Sequence, residues 1–254
     1  FLSGNVFQDI PLTTLGWDVL EKHFDWRLFF GLCGIKPDGC SCCPDRYSSP
    51  AATAAKAEAL DFIRSHGISA TVNARFSSCS SDGNAIFSES FKLPMLRDSV
   101  SGHSLCDFIP SEGQSQMGLF AVKVDAVPAD ANELVFHALT ATLAEAASEY
   151  LRSVWTKGLP EGFKLINPAV GYPCCPDHSL KRDILALLDP ALGITLTDSC
   201  AMIPEASICG LVLAHRDAAY HDIRTVNKEA LDVYAAQRRF SPSEKALFLS
   251  SFQG

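Results

Sequence analysis

One long segment narrows the choice of fold more than any other feature of this sequence. Between Asp130 and Lys157, apolar residues recur at helical spacing, and Gly158 follows as a stop signal. The apolar positions are Leu134, Ala138, Leu139, Leu143, Ala146, Ala147 and Leu151. The spacing predicts that this segment forms the longest helix of the chain.

Five further segments carry helix signals, such as a capping residue at the start or a glycine at the end. Thr13 or Thr14 is the expected N-cap of the first helix, and Ser241-Pro242-Ser243 supplies the start of the last one. The predicted helices are Thr13 to Phe24, Ser49 to His66, a helix capped by Ser179, Val226 to Arg239, and Ser243 to about Ser250.

Strand signals come in pairs between these helices. Ile68 to Phe76 and Ala85 to Leu93 have β-type composition on either side of the turn SSDGN, which predicts an antiparallel hairpin. Further strands are predicted at Gly118 to Val124, Thr195 to Met202 and Ser207 to Ala214. Because strands pair between helices, the sequence predicts a single α+β domain over residues 1–254, with a largely antiparallel sheet flanked by helices.

Composition and charge exclude several functional classes. The chain has 254 residues and a formal net charge of −8, so it lacks the basic surface of a general nucleic-acid binder. No apolar run approaches the roughly 18 to 20 residues of a membrane span. The first residues lack the order of a signal peptide. We therefore expect a cytoplasmic protein that binds neither nucleic acid nor a membrane.

The chain contains ten cysteines, which is a high number for its length. Without a secretion signal, free thiols are expected rather than a disulfide framework. Four cysteines share a turn-rich segment and are weak candidates for a soft-metal site: Cys33, Cys40, Cys42 and Cys43. Their spacing fits no common zinc or iron–sulfur pattern, so the alternative is a set of thiols with no ligand role.

The segment from Ile166 to Ser179, INPAVGYPCCPDHS, is the main candidate for a ligand site. Its prolines remove N–H donors and hold the loop extended, so we expect some backbone carbonyls to be available to a ligand. The alternative is a rigid connector before the next helix. No phosphate-binding, serine-hydrolase, zinc-protease or dinucleotide-binding motif occurs, and no residue is predicted to be catalytic.

This segment and several others resemble the C-terminal activation domain of cobalamin-dependent methionine synthase. NPAVGYPCCPDH is similar to the family's R-P-A-x-G-Y-P-x-C-P-[DE]-H, and DSCAMIPEASICG is similar to its S-x-A-M-x-P-x-A-S-x-x-G. FDWRLFF, SLCDFIP, MGLFAVKV and LAEAASEYLRSVW match other family segments, in family order, over nearly the whole chain. The resemblance implies a single α+β unit with a twisted antiparallel sheet.

The resemblance also implies a function. The family's domain binds S-adenosylmethionine and supports the reductive methylation that converts inactive cob(II)alamin to methylcobalamin. The implied partners are the cobalamin-binding module of methionine synthase and a flavodoxin-like electron donor. Since 254 residues leave no room for the other modules, we expect a component of the methyltransferase rather than a complete enzyme, either free-standing or excised from a longer chain.

The residues that match the family's ligand-binding positions are Asp25, Glu145, Asn167, Ala169, Gly171, Tyr172, Pro173 and Tyr220. The resemblance implies that the two carboxylates hold the ligand's polar groups and that the two tyrosines line the adenosine and sulfonium site. Backbone groups of Ala169 to Pro173 are expected to recognise the adenine edge. Without the resemblance, Asp25 is a helix-end carboxylate, Glu145 a solvated helix residue, and the tyrosines pack in the core or at its rim.

One departure from the family pattern bears on affinity. Asn167 stands where the family has an arginine that clamps the ligand's carboxylate, and an amide lacks both the charge and the bidentate fork. We expect this contact to weaken by roughly 1 to 3 kcal/mol, unless Lys164 or Arg182 supplies the charge. Two alternatives stay open. One is an accessory protein that docks on another corrinoid protein, with weakened or lost S-adenosylmethionine binding; the other is a cysteine-rich metal-binding protein.

Overall fold

The computed structural model describes residues 1–2, 4–38, 46–125 and 132–252. The strands and helices are, in chain order, β1 (Ile10–Leu15), α1 (Trp17–Leu20), α2 (Trp26–Leu32), α3 (Pro50–His66), β2 (Ala70–Ser81), β3 (Ala85–Phe87), β4 (Lys92–Pro94), β5 (Ser115–Val124), α4 (Glu133–Thr156), β6 (Lys164–Ile166), α5 (Leu180–Leu187), β7 (Thr195–Leu196), β8 (Met202–Ile203), β9 (Ser207–His215), α6 (Lys228–Gln237) and α7 (Pro242–Leu249).

Among the described residues, seven strands form the main sheet, in the order β4-β3-β2-β5-β9-β6, with β1 paired to the first half of β2. Every pairing in this sheet is antiparallel. The longest ladder joins β2 to β5, from Ala70 opposite Val124 to Cys79 opposite Ser115. The predicted α+β fold with a largely antiparallel sheet is confirmed.

Both faces of the sheet are covered, which explains why β5 is buried along almost its whole length. Phe120 and Val122 point to the face covered by α4, where they share a core cluster with Leu139. Leu119 points to the opposite face and joins a cluster with Ile184 of α5. A third cluster joins α6 to α7. No described helix has both the length and the apolar character that crossing a membrane requires.

Several predicted elements are confirmed with adjusted ends. Helix α3 ends at Gly67, which has a left-handed φ of 60°, and α4 covers most of the predicted long segment. Helix α7 begins with a capping box between Ser241 and Glu244. In the predicted hairpin, β2 runs on to Ser81 before the turn. The predicted partner strand from Ala85 to Leu93 is wrong as a single strand, because β3 and β4 within it pair with each other around a turn.

The predicted helix from Thr13 to Phe24 is wrong in its first part. Thr13 belongs to β1, where it lies opposite Val72 of β2, and the helical turn begins only after Gly16. The first half of β2 offers free backbone groups to this segment, and β-branched threonines suit a strand. Pairing with a strand that is distant in sequence therefore overrides the local helical pattern.

The predicted strand from Thr195 to Met202 is also wrong. Its two ends, β7 and β8, pair with each other as a separate two-stranded ribbon. The Thr197 N–H donates to the carbonyl of Ala201 across the turn between them. The polar residues of this turn favour a chain reversal over a continuous strand.

Candidate functional site

A cavity of about 650 Å³ lies between the start of α2, one face of α4 and the proline-rich segment that follows β6, from Asn167 to Ser179. The candidate residues that line it are Asp25, Glu145, Asn167, Ala169, Tyr172, Pro173 and Tyr220. Gly171 is the one candidate that does not line it. The structure thus gathers residues that are far apart in sequence around a space suited to a small-molecule ligand.

Helical periodicity builds the α4 wall of the cavity. Glu145, Glu149 and Arg152 follow one another at intervals of four and three residues, so they project from the same face. The Arg152 Nε donates to Glu149 Oε2 at 2.7 Å, and its Nη2 donates to Glu149 Oε1 at 2.6 Å. Glu145 is half-buried on this wall rather than fully solvated.

A close backbone contact holds the proline-rich segment against β9. The Leu211 N–H donates to the carbonyl of Pro168 at 3.0 Å. Gly210 permits this approach, because a Cβ at that position would lie 2.3 Å from the Pro168 oxygen. Ala169 stands opposite Gly210, and its neighbours make the bonds to β9, so its own N–H is directed away from that strand.

The carbonyls of this segment are more fully paired than we expected from its prolines. The Ala169 carbonyl accepts from the Tyr172 N–H at 3.3 Å, and the Tyr172 carbonyl accepts from the Cys175 N–H at 2.8 Å. The Pro173 carbonyl accepts from the Ile223 N–H at 2.8 Å. The expectation of free carbonyls is therefore wrong at these positions, which leaves the Ala169 N–H as a candidate contact.

Gly171 shapes the turn that presents Tyr172. Its φ is 106°, and a Cβ there would lie 2.8 Å from Cε1 of His178, so both the backbone angle and the space favour glycine. The Nδ1 of His178 lies 3.0 Å from Lys181 Nζ. Burial, followed by the nearby Lys181 charge, lowers the pKa of His178. Gly171 and His178 therefore support the loop from behind the cavity.

Asp25 is both a lining residue and the N-cap of α2. Its Oδ1 accepts from the Arg27 N–H at 2.9 Å and from Arg27 Nε at 3.3 Å. The helix-end role that residue type suggested is thus confirmed. Both contacts use Oδ1, and the side chain is 48% exposed, so Oδ2 can meet a ligand.

Two tyrosine hydroxyls connect the walls of the cavity. Tyr172 Oη donates to Glu145 Oε1 at 2.9 Å, and Tyr220 Oη donates to Asn167 Oδ1 at 3.2 Å. Burial and the neighbouring Glu145 raise the pKa of Tyr172 to about 12, and burial also raises the pKa of Tyr220. Both hydroxyls therefore remain protonated donors at neutral pH.

Asn167 gains no help from the two cations that the sequence suggested. Its Nδ2 donates to Ser148 Oγ on α4 at 3.1 Å. Within the described part of the chain, neither Lys164 nor Arg182 lines the cavity. Arg182 instead donates to Glu244 Oε1 at 2.8 Å. Neither Lys164 nor Arg182 therefore supplies the missing charge at the cavity.

Three charged residues that line the cavity were not predicted from the sequence: Glu149, Arg152 and Asp222. A signal existed for the first two, because they continue the helix face of Glu145. Asp222 carries no local signal, since it lies in the irregular segment between β9 and α6. Among the described residues, the cavity therefore combines four carboxylates with a single guanidinium group.

The predicted metal candidates Cys40, Cys42 and Cys43 lie outside the described residues. Cys33 follows α2, where it is half-buried and burial raises its thiol pKa. Across the ranges that the structure describes, no three His, Cys, Asp or Glu side chains are grouped as a metal site. The seven described cysteines are free thiols.

Two comparisons with known proteins bear on the chain as a whole. The model of the family described as "Vitamin B12 dependent methionine synthase, activation domain" matches residues 18–239. A crystal structure of the MetH reactivation domain bound to AdoHcy superimposes with a TM-score of 0.79 at 22% sequence identity. The superposition covers 96% of this chain and 89% of that chain. The family match spans most of the sequence, and the structural likeness shows a shared fold.

Proposed function

This chain belongs to the activation-domain family of vitamin B12-dependent methionine synthase, and we propose that its cavity binds S-adenosylmethionine. One observation carries the proposal: four carboxylates and two tyrosine hydroxyls surround a single cavity of about 650 Å³. S-adenosylmethionine carries an ammonium and a sulfonium, and each is stabilised by nearby negative charge. The chemistry of the lining residues thus fits this ligand.

The proposed contacts follow from where each group lies. Asp25 and Glu145 bind the positive groups of the ligand, while Tyr172 and Tyr220 line the adenosine and sulfonium site. The Ala169 N–H, which is directed away from β9, contacts the adenine edge. Asn167 and Gly171 act indirectly, through the Tyr220 hydroxyl and through the turn that presents Tyr172.

The task of this chain is to hold and orient the ligand at an open surface. S-adenosylmethionine, when bound, supplies the methyl group for reductive conversion of cob(II)alamin to methylcobalamin. Tyr172 and Tyr220 are 49% and 55% exposed, so the cavity mouth is accessible to a docked partner. The proposed partners are the cobalamin-binding module of methionine synthase and a flavodoxin-like electron donor.

The neutral side chain at position 167 favours a second candidate function. Both ends of the Asn167 amide are engaged within the protein, by Ser148 and by Tyr220. This arrangement supports an accessory protein that docks on another corrinoid protein and binds S-adenosylmethionine weakly or not at all.

Titration calorimetry with S-adenosylmethionine tests the first proposal against the second. The variant Asp25→Asn removes the charge but keeps an amide oxygen that can cap α2. We expect wild type to bind and Asp25→Asn to bind about tenfold more weakly or worse, because a charge-assisted contact is lost. Asp61→Asn, on an exposed part of α3, is the matched control and should leave affinity unchanged.

The outcomes separate the candidates. If wild type does not bind S-adenosylmethionine, the docking function gains support and the ligand proposal fails. If wild type binds but Asp25→Asn binds equally well, the ligand lies elsewhere and the residue assignments are wrong.

A further inference from the structure

Arg152 is the only lysine or arginine among the described residues that line the cavity. Four acidic side chains share that lining: Asp25, Glu145, Glu149 and Asp222. A ligand with both a cationic and an anionic group must place its anionic group where the potential is least negative. Within this lining, that position is beside Arg152.

Arg152 keeps donors free for a ligand although it is already paired. Its Nε and one proton of Nη2 face the two Glu149 oxygens. A guanidinium has five N–H donors in a fixed fork, so Nη1 and the second Nη2 proton form another edge that can bind a carboxylate. The side chain is 41% exposed, so this edge is accessible.

Arg152 lies close to the place where the proline-rich segment contacts α4. Ser148 lies one helical turn before Arg152 on α4 and accepts the hydrogen bond from Asn167 Nδ2 at 3.1 Å. The charge of Arg152 also lies close enough to Tyr220 to affect the pKa of its hydroxyl. Arg152 therefore stands beside the point where the loop meets α4.

Asn167 is a weaker carboxylate ligand than Arg152. Its Nδ2 donates one proton to Ser148 Oγ, and its Oδ1 accepts from Tyr220 at 3.2 Å. The second Nδ2 proton therefore offers a ligand carboxylate one neutral donor. A free guanidinium edge one turn away provides two charge-assisted donors.

We infer that Arg152 binds the carboxylate of S-adenosylmethionine and orients the amino-acid portion of the ligand. The inference rests on the proposed function. It places the carboxylate at the C-terminal end of the α4 wall and leaves the ammonium and sulfonium for the acidic residues. Arg152 is thus a specificity residue for ligands that carry an α-carboxylate.

A comparison of two ligands across two variants tests this role. The ligands are S-adenosylmethionine and decarboxylated S-adenosylmethionine, which lacks only the carboxylate. We expect Arg152→Gln to weaken binding of the first ligand by about 10- to 100-fold and to change binding of the second by less than about threefold. Arg152→Lys should recover part of the loss, because it restores the charge without the fork.

Arg64→Gln is the matched control, since Arg64 is an exposed residue of α3 outside the cavity. It should leave both affinities unchanged. The inference is overturned if Arg152→Gln weakens both ligands equally or weakens neither. If wild type binds neither ligand, the proposed function itself fails, and the role of Arg152 fails with it. This result differs from one in which wild type binds and only the expected effect of Arg152→Gln is missing.

Discussion

At the scale of single residues, a buried carboxylate outside the cavity holds the segment that carries Tyr220. Asp98 is 4% exposed and accepts hydrogen bonds from the Ser101 N–H at 2.7 Å, the Arg224 N–H at 2.9 Å and the Thr225 N–H at 2.8 Å. These donors hold the pKa of Asp98 well below its usual range. The Asp98 carboxylate therefore joins the backbone at Ser101 to the backbone at Arg224 and Thr225, which is distant in the sequence.

Asp98→Asn should destabilise the protein by about 2 kcal/mol at neutral pH, because an amide offers one acceptor oxygen instead of two. The folded pKa lies below the unfolded one, so the charge stabilises the fold above the usual carboxyl pKa and ceases to do so as pH falls. The difference in free energy of unfolding between wild type and Asp98→Asn should therefore become smaller in acid. Urea unfolding at about pH 7 and about pH 3 checks this expectation.

Asp61→Asn, at an exposed position, is the control, and its free energy of unfolding should equal that of wild type at both pH values. An equal difference between wild type and Asp98→Asn at both pH values would contradict the stabilising role of the Asp98 charge.

Residue chemistry was only partly readable from the sequence. The pattern around Tyr172 predicted a ligand loop, and Glu145 was a candidate. Glu149 and Arg152 were not predicted, although they lie on the same face of α4 as Glu145. No spacing predicted that the Asn167 amide forms hydrogen bonds with Ser148 and Tyr220. Those contacts depend on three segments that meet only in the folded chain.

At the scale of elements, the contact between the proline-rich segment and β9 positions one wall of the cavity. Gly210→Ala should destabilise the protein by about 1 to 3 kcal/mol, because the new Cβ would meet backbone that cannot rotate away. It should also weaken S-adenosylmethionine binding, since Ala169 would shift with the loop. Thermal unfolding and titration calorimetry measure the two effects.

Gly31→Ala in α2 is the matched control, because a Cβ there meets nothing within 4 Å. It should be neutral or slightly stabilising, as alanine favours a helix. Equal stability of the two alanine variants would show that the loop does not depend on this close approach.

At the scale of the whole molecule, negative charge favours cationic ligands. The chain carries a formal net charge of −8. Its cavity, as far as the described residues line it, has four carboxylates and one guanidinium group. S-adenosylmethionine has one more positive charge than S-adenosylhomocysteine, because a sulfonium replaces a thioether. The cavity should therefore bind the sulfonium compound more tightly.

Salt should reveal the same difference. Raising NaCl from about 50 mM to about 500 mM should weaken binding of S-adenosylmethionine several-fold and binding of S-adenosylhomocysteine much less, because screening acts on the extra charge. Calorimetric titrations of both ligands at each salt concentration provide the measurement. Equal salt dependence would mean that the carboxylates do not act on the sulfonium.

The sequence by itself determined the elements whose signals are local. The periodicity of α4, the cap of α7 and the turn after β2 all depend on neighbours within a few residues, so they could be read directly. The family resemblance then predicted which residues of the proline-rich segment would bind a ligand. Local spacing also contained the acidic and basic face of α4, although it did not say what that face would meet.

Only the tertiary structure decided which segments come together. It paired Thr13 with β2 instead of continuing a helix, and it brought Asp25, Glu145 and Tyr220 around one cavity. The physical reason is that strand pairing and burial are satisfied by partners distant in the chain, whose positions no local pattern records. Arg152, the single Lys or Arg that lines the cavity in the described part of the chain, acquires its proposed role from the same packing.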